Sequence, residues 1–209
     1  MKDGDIMMEA LTIENDLDWL RQVSVKVDIK NDNLEEALSV LDSYCLMHGV
    51  FAMAAVQLGI NKRIIYLKNT DLEKVEDDVW NEKTILINPV IKKREGLTLY
   101  WEACASCLDN MGLVMRPYKM KIEYFDVEGK KRQKTFKGFA ATVLSHEYDH
   151  LDGILHMDKS LEIKVMKQED RKNWRKTHGY EVVSEVGDFL ALEEKYGKEY
   201  KDKCNADSR

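Results

Sequence analysis

The residues with the clearest chemistry are His146, Glu147 and His150, which form a His-Glu-x-x-His pattern. An α-helix turns about 100° per residue, so the second histidine lies one turn along the helix and about 40° around it. Both imidazoles can therefore reach one metal ion, and the carboxylate can take a proton from a water molecule at that ion. The spacing predicts a hydrolytic metal site carried by a helix.

A third ligand is expected, because two histidines rarely complete a metal site in a protein. His156 and His178 are the only histidines that follow. His156 lies too close along the chain for the longer spacing of zinc proteases, in residues 154–157, where we expect a strand. Upstream, Cys104 and Cys107 can each donate a thiolate, and a thiolate with two imidazoles suits divalent iron, cobalt, nickel or zinc.

The helix that carries this pattern has clear limits. Gly138 precedes a helical pattern that runs to about Leu151, and Gly153 lies where the helix should end. Apolar Val143 and Leu144 predict that the helix is buried. A buried His-Glu-His cluster without a ligand would be costly, which favours a metal site over chance histidines.

Other elements must position this helix. Helical spacing of apolar residues predicts a helix over 32–48, with Asn31 or Asn33 at its N-cap and Gly49 at its end. Segments rich in β-branched and aromatic residues predict strands over 63–67, 84–92, 97–101 and 118–125, and a hairpin at Glu128-Gly129 that returns through 133–136.

These elements predict an α+β fold, with mixed or antiparallel strands packed around a central His-Glu-x-x-His helix and helices at both ends. A length of 209 residues fits one domain over 1–209. From about Ser160 the chain is charged, and we expect a mostly helical C-terminal extension.

Composition narrows the class of protein. The chain is 44% hydrophobic and 33% charged, with a net charge of −6, which argues against direct nucleic-acid binding. No stretch approaches the roughly 20 apolar residues that span a bilayer, so no membrane partner is expected. The four cysteines do not form a small disulfide framework, which indicates a reducing cytoplasm.

Three ordered blocks resemble the peptide deformylase family. Residues 50–57 read Val-Phe-Ala-Met-Ala-Ala-Val-Gln, residues 102–106 read Glu-Ala-Cys-Ala-Ser, and residues 146–153 read His-Glu-Tyr-Asp-His-Leu-Asp-Gly. They are similar to the family's Gly-x-Gly-Leu-Ala-Ala-x-Gln, Glu-Gly-Cys-Leu-Ser and His-Glu-x-x-His-Leu-x-Gly segments. An Ile-Asn-Pro segment over 87–89 lies between the first two, and the likeness covers roughly residues 34–160.

The resemblance assigns the roles that spacing leaves open. It implies that Cys104, rather than Cys107, completes the metal site with His146 and His150, because this register also keeps Glu102 and Ser106 in place. It implies that Gln57 and the backbone N–H of Ala105 stabilise an oxyanion. Glu147 is then the general base and acid.

The resemblance also implies a supporting network and a substrate pocket. Glu102, Arg116 and Asp149 match positions that hold the cysteine segment against the helix. Cys107 is expected to be a small buried residue or a thiol beside the site, with a two-cysteine site or redox pair as the alternative. The pocket that accepts a methionine side chain is expected to be lined by Phe51, Ala52, Phe139, Thr142 and Val143.

The implied function is removal of the formyl group from N-formylmethionine of nascent polypeptides, with one divalent metal ion, ferrous iron by resemblance, or zinc, nickel or cobalt. Transient ribosome contact would suit such an enzyme. Val50 and Ala52 replace the glycines of the first block, and Ala103 and Ala105 replace glycine and leucine of the second. The alternatives are an amidase for another formyl or acyl substrate, a His-Glu-x-x-His metalloprotease, and a structural metal-binding module with four protein ligands.

Overall fold

The computed structural model describes residues 9–68 and 83–206. The helices are α1 Leu17–Leu20, α2 Glu35–His48, α3 Gly138–Leu151, α4 His156–Lys159, α5 Gln168–Thr177 and α6 Phe189–Ala206. The strands are β1 Ala52–Ala54, β2 Ile64–Leu67, β3 Thr84–Ala103, β4 Asn110–Arg116, β5 Lys119–Phe125, β6 Lys131–Lys137, β7 Ser160–Val165 and β8 Glu181–Asp188. Short 3-10 turns follow β1 and β3, at residues 55–58 and 105–107. The fold is α+β, as predicted.

The eight described strands form one sheet, and their ladders are antiparallel. The order β1-β2-β3-β4-β7 forms its main path, β5 and β8 also pair with β3, and β6 pairs with β5. Strand β3 is 20 residues long and joins β2, β4, β5 and β8. This one strand therefore links the two halves of the sheet.

The prediction of two separate strands, over 84–92 and 97–101, is wrong, because β3 is continuous through both. Between them lie the charged residues 93–95 and then Gly96, whose φ is +70°. A Cβ at this position would lie 2.4 Å from the carbonyl oxygen of Ser184 in β8. Glycine allows β3 to bend there while β8 approaches it closely, so the break in the apolar pattern marks a bend.

Helix α3 is buried along most of its length against the sheet. Ala140, Ala141 and Leu144 belong to a core cluster with Met120 and Phe136. The predicted alternation in β5 is confirmed, since its apolar positions are buried. This packing fixes α3 against the strands that carry the other site residues.

Two local predictions need correction. Helix α2 begins at Glu35 rather than at residue 32, because the side chain of Asn33 accepts a hydrogen bond from the Glu35 N–H at 3.0 Å, and Leu34 occupies the N-cap. The predicted end is confirmed, with Gly49 at φ 61°. Residues 154–157 are not a strand, because α4 begins at His156, where Asp158 accepts the Leu155 N–H.

The extension that was predicted to be mostly helical contains α5 and α6 but also two strands, since β7 opens it and β8 lies between the two helices. Strand β7 pairs with β4, and β8 pairs with β3. These partners come from distant parts of the chain, so the strands form although their own sequences are charged. No helix among the described residues is long and apolar enough to cross a membrane.

The close approach at Gly96 yields a stability test. Gly96→Ala should lower the free energy of unfolding by at least about 2 kcal/mol, because alanine is strained at positive φ and its Cβ would meet the β8 backbone. Urea unfolding measures this change. Gly197→Ala is the control, since a Cβ added there would meet no atom of the described residues within 4 Å and its helix α6 tolerates alanine. Equal midpoints for Gly96→Ala and the wild type would contradict the account of the bend.

Candidate metal centre

The structure brings the predicted ligands Cys104, His146 and His150 together. Cys104 follows the end of β3, and both histidines lie on α3. The Cys104 Sγ is 3.3 Å from His150 Nε2, which is 3.2 Å from His146 Nε2, and the three ligand atoms lie within 4.8 Å of one another. Ligand atoms on a tetrahedral zinc-like ion are about 3.3–3.5 Å apart, given bonds of about 2.0–2.3 Å. The donor types and spacings therefore fit a divalent metal ion.

Cys107 lies outside this ligand trio. It is fully buried and packs with Leu20 and Leu155 in an apolar cluster that also includes Cys104. Cys45, Cys104 and Cys107 are free thiols. The placement of Cys107 does not supply the fourth ligand that a closed structural site would need.

A buried ion-pair network orients His146. Its Nδ1 lies 2.8 Å from Oε2 of Glu102, and Arg116 donates two hydrogen bonds to the same carboxylate, at 2.7 and 2.9 Å. Arg116 also pairs with Asp149, whose other oxygen accepts a hydrogen bond from Lys159 at 2.6 Å. The network engages Nδ1 of His146 and leaves Nε2 towards the other ligands.

Electrostatics keeps this buried network charged. Burial alone would raise the pKa of Glu102, but the Arg116 guanidinium outweighs burial and holds that pKa well below its usual range. Burial opposes charge on His146, yet the Cys104 sulfur and the Glu102 carboxylate raise its pKa above the ordinary value. A positive charge is therefore favoured among these groups, as a metal ion would provide.

Glu147 is the carboxylate beside the ligand trio. It is 6% exposed, and its Oε2 has no hydrogen-bond partner in the described part of the chain. Burial raises the pKa of Glu147 to about 7. A carboxyl group of this kind can both accept and release a proton near neutral pH.

Gln57 faces the sulfur of Cys104. Its Oε1 accepts the Ala54 N–H at 3.0 Å, so its Nε2 is directed to Cys104 Sγ at 3.3 Å and to Ser106 Oγ at 3.1 Å. Ala105 opens the 3-10 turn after Cys104 and is exposed. The amide of Gln57 and the Ala105 segment thus lie beside the ligands, as an oxyanion site requires.

A cavity of about 350 Å³ joins these groups. Its walls include all five predicted pocket residues, namely Phe51, Ala52, Phe139, Thr142 and Val143, together with Gln57, Cys104, Ala105, His146 and Glu147. Tyr100, Gln168 and Arg175 also line it. The sequence did not predict these three residues, since they match no motif. Trp174, an aromatic residue in the charged helix α5, could have indicated that this helix packs on the core.

His156 lies beside His146 rather than within the ligand trio. The two imidazole rings are stacked, with centroids 5.6 Å apart and planes 27° apart. His156 is 1% exposed, and burial lowers its pKa to about 4, which keeps the ring neutral. This placement does not supply the downstream ligand that the metalloprotease alternative requires.

A thiol and two imidazoles converge beside a buried carboxylate, next to a cavity and on an antiparallel sheet. The class of protein that this combination defines is a metal-binding hydrolase.

Comparison with known proteins identifies the family. The polypeptide deformylase family model matches residues 7–168. The chain is 36% identical over 147 residues to the peptide deformylase of Pelagibacter ubique, covering 69% of this chain and 82% of that protein. It is 35% identical over 147 residues to the peptide deformylase of Rhizobium meliloti, covering 69% of this chain and 81% of that protein. A crystal structure of a probable peptide deformylase from Synechococcus phage S-SSM7 superposes with a TM-score of 0.62 and 32% identity, covering 73% of this chain and 99% of that one.

The chain belongs to the peptide deformylase family, whose enzymes remove the formyl group from nascent polypeptides. Residues from 169 onward, which include β8, α6 and most of α5, lie beyond the family match.

The ligand trio predicts different behaviour for the two cysteines. Cys104→Ser should weaken the binding of Co²⁺ by at least about tenfold and abolish thiolate-to-metal absorption, because the ligand sulfur is lost. Cys107→Ser is the matched control and should keep both the affinity for Co²⁺ and the thiolate-to-metal absorption. Titration of metal-free protein with Co²⁺, followed by absorption, measures this difference. The reverse result, with loss only in Cys107→Ser, would overturn the assignment.

The buried network predicts a large effect of Arg116→Met. Removing the guanidinium leaves the carboxylates of Glu102 and Asp149 buried without it, so the free energy of unfolding should fall by about 3–5 kcal/mol. Arg132→Met, which removes a more exposed ion pair with Asp126, should leave the unfolding midpoint close to that of the wild type. Urea unfolding of both variants makes the comparison, and similar losses would show that the buried pairs are not specially important.

Proposed function

We propose that this chain removes the formyl group from N-formylmethionine of new polypeptides, with Cys104, His146 and His150 as ligands of one divalent metal ion. The observation that carries the proposal is that the three ligand atoms lie within 4.8 Å of one another, beside a cavity lined by Cys104, His146 and Glu147, in a member of the deformylase family. We propose ferrous iron as the metal, with zinc, nickel and cobalt as alternatives, because thiolate and imidazole bind all four.

A divalent ion at these three atoms would act as a Lewis acid and make hydroxide available near neutral pH. Glu147 accepts a proton from the attacking water, and its raised pKa suits this exchange. The formyl C–N bond then breaks, and Glu147 delivers the proton to the departing amine nitrogen. Formate and a free N-terminus are the products.

The developing charge on the formyl oxygen needs hydrogen-bond donors. The Nε2 group of Gln57 is the side-chain donor, held in orientation by the Ala54 N–H on its oxygen. The backbone N–H of Ala105 is the second donor. Such donors act most strongly in a site that is already ordered before the substrate arrives.

The cavity wall supplies the binding site for the methionine side chain. Phe139 and Val143 offer apolar surface, and Thr142 is buried with its hydroxyl 3.2 Å from that of Thr98. Phe51 and Ala52 also line the cavity. With Val50 and Ala52 in place of the family's glycines, we expect the preference for residues after the formylmethionine to differ from that of its relatives.

The partner is an N-formylmethionyl peptide or a nascent chain, and we propose that the protein acts in the cytoplasm. Transient contact with the ribosome stays a prediction, because it follows from the substrate alone.

The role of Glu147 is tested by formate release. Protein prepared without oxygen and loaded with Fe²⁺ or Ni²⁺ should release formate from formyl-Met-Ala-Ser. Glu147→Ala should lower kcat by about 10²–10⁴-fold while keeping one metal ion per chain, since proton transfer is lost and the ligands are not. Glu128→Ala removes an exposed carboxylate and should leave the rate unchanged.

Two results would count against the proposal. An unchanged rate in metal-loaded Glu147→Ala would exclude Glu147 as the proton carrier. Absence of formate release by folded wild-type protein with one bound metal ion would exclude this substrate.

A further inference from the structure

The segment that begins beyond the family match contributes Arg175 to one wall of the cavity. Arg175 on α5 lines it, beside Tyr100 of β3. Tyr180, which precedes β8, packs edge-on against Phe139 and Tyr100, with ring centroids 5.6 and 6.1 Å apart. The proposed catalytic groups thus come from residues 57–150, whereas Arg175 comes from the segment after residue 168.

Helix α5 is fixed to the sheet, so the position of its side chains is well defined. Trp174 meets Trp101 edge-on at 5.8 Å, and the Lys164 ammonium lies 5.4–5.5 Å from both ring centroids. Arg171 donates hydrogen bonds to the backbone carbonyls of Met166 and Leu108. These contacts fix α5 to the rest of the protein in the turn that precedes Arg175.

The guanidinium of Arg175 is oriented but largely unused. Its Nε donates to the Trp101 carbonyl oxygen at 3.2 Å, and its Cζ lies 5.2 Å from the centroid of the Tyr100 ring. Among the described side chains, no carboxylate lies within ion-pairing distance of it, whereas Arg171 pairs with Asp109 and Arg116 pairs with Glu102. The N–H groups on Nη1 and Nη2 have no acceptor in the described part of the chain.

A guanidinium in this state is suited to a carboxylate. Its planar fork matches two carboxylate oxygens, and contact with Tyr100 and the Trp101 carbonyl fixes its plane before a ligand arrives. The nearby carboxylate of Glu102 is already neutralised by Arg116 and does not compete for it. An incoming anion would therefore find a prepared partner at this wall.

The spacing sets where on a substrate that anion lies. Arg175 contacts Tyr100, whose ring is 5.1 Å from that of Phe139, and Phe139 precedes His146 by seven residues on α3. Seven helical residues span about 10.5 Å. An extended peptide advances about 3.3 Å per residue, so two or three residues of substrate cover most of that length.

We propose that Arg175 is a specificity-determining residue that binds a substrate carboxylate two or three residues after the formyl group. The proposal rests on the proposed function, because it places a formyl peptide in the cavity. The carboxylate belongs either to an acidic side chain or to the C-terminus of a short peptide.

Paired peptides test this. Formyl-Met-Ala-Glu-amide is compared with formyl-Met-Ala-Gln-amide, and formyl-Met-Ala-Ser as free acid is compared with its amide. Metal-loaded wild type should favour at least one carboxylate peptide over its neutral match by about tenfold in kcat/KM, the scale of one charge-assisted pair. Arg175→Gln should remove this preference, because it should lower kcat/KM for the carboxylate peptides by about tenfold more than for their neutral matches.

Two further variants separate charge at this site from charge in general. Arg175→Lys keeps the charge without the fork and should keep part of the preference. Lys172→Gln removes an exposed charge from the same helix and should keep the full preference for carboxylate peptides. If Arg175→Gln loses the preference only for the free acid, the bound carboxylate is the peptide C-terminus. If it loses the preference only for the glutamate peptide, the bound carboxylate is the side chain.

The proposal would be overturned if Arg175→Gln lowered kcat/KM equally for neutral and carboxylate peptides, or if the wild type showed no preference between them. Binding of the deformylated peptides Met-Ala-Glu-amide, Met-Ala-Gln-amide and Met-Ala-Ser, as free acid and as amide, measured by calorimetry, gives a second readout that needs no turnover. If no peptide releases formate, the proposed function fails, and the same binding comparison between wild type and Arg175→Gln still decides the role of Arg175.

Discussion

The interaction on which the rest of the structure depends is the burial of Arg116 between the carboxylates of Glu102 and Asp149. Moving these charges out of water is costly, and the cost is offset only when all partners are in place. The partners come from β4, the end of β3 and α3. The network is therefore formed only when these three elements meet in one arrangement, which ties the geometry of the site to the complete fold.

The same constraint sets the position of the metal ligands. Cys104 lies two residues after Glu102, and His150 follows Asp149, so the ion pairs hold the neighbours of both ligands. Glu102 also engages Nδ1 of His146 directly. An error in the pairing of β3 with β4 would displace the sulfur from the imidazoles, because a shift of one residue in a strand turns each side chain to the opposite face.

The sequence predicted those features that depend on local spacing. The extent of α3, the alternation in β5 and the turns at Gly49 and Gly129 all follow from neighbouring residues, and the structure has them. Neighbouring residues did not predict the continuity of β3, the helix at His156 or the strands of the extension. Their formation depends on backbone partners from distant segments, which periodicity in one segment does not contain.

Strand β8 illustrates the difference. It is largely exposed and carries charged residues, so its pattern resembles a loop or a solvated helix, yet β3 supplies its hydrogen bonds through Leu97, Thr98 and Leu99. Tyr180, which directly precedes β8, packs against Phe139, and α5 contributes Gln168 and Arg175 to the cavity lining. The proposed ligands and the proposed proton carrier Glu147 thus lie in the part that matches the family, and Arg175 lies outside it. Because these proposed catalytic residues come from the part that matches the family, changes in the extension can alter which peptides fit without replacing them.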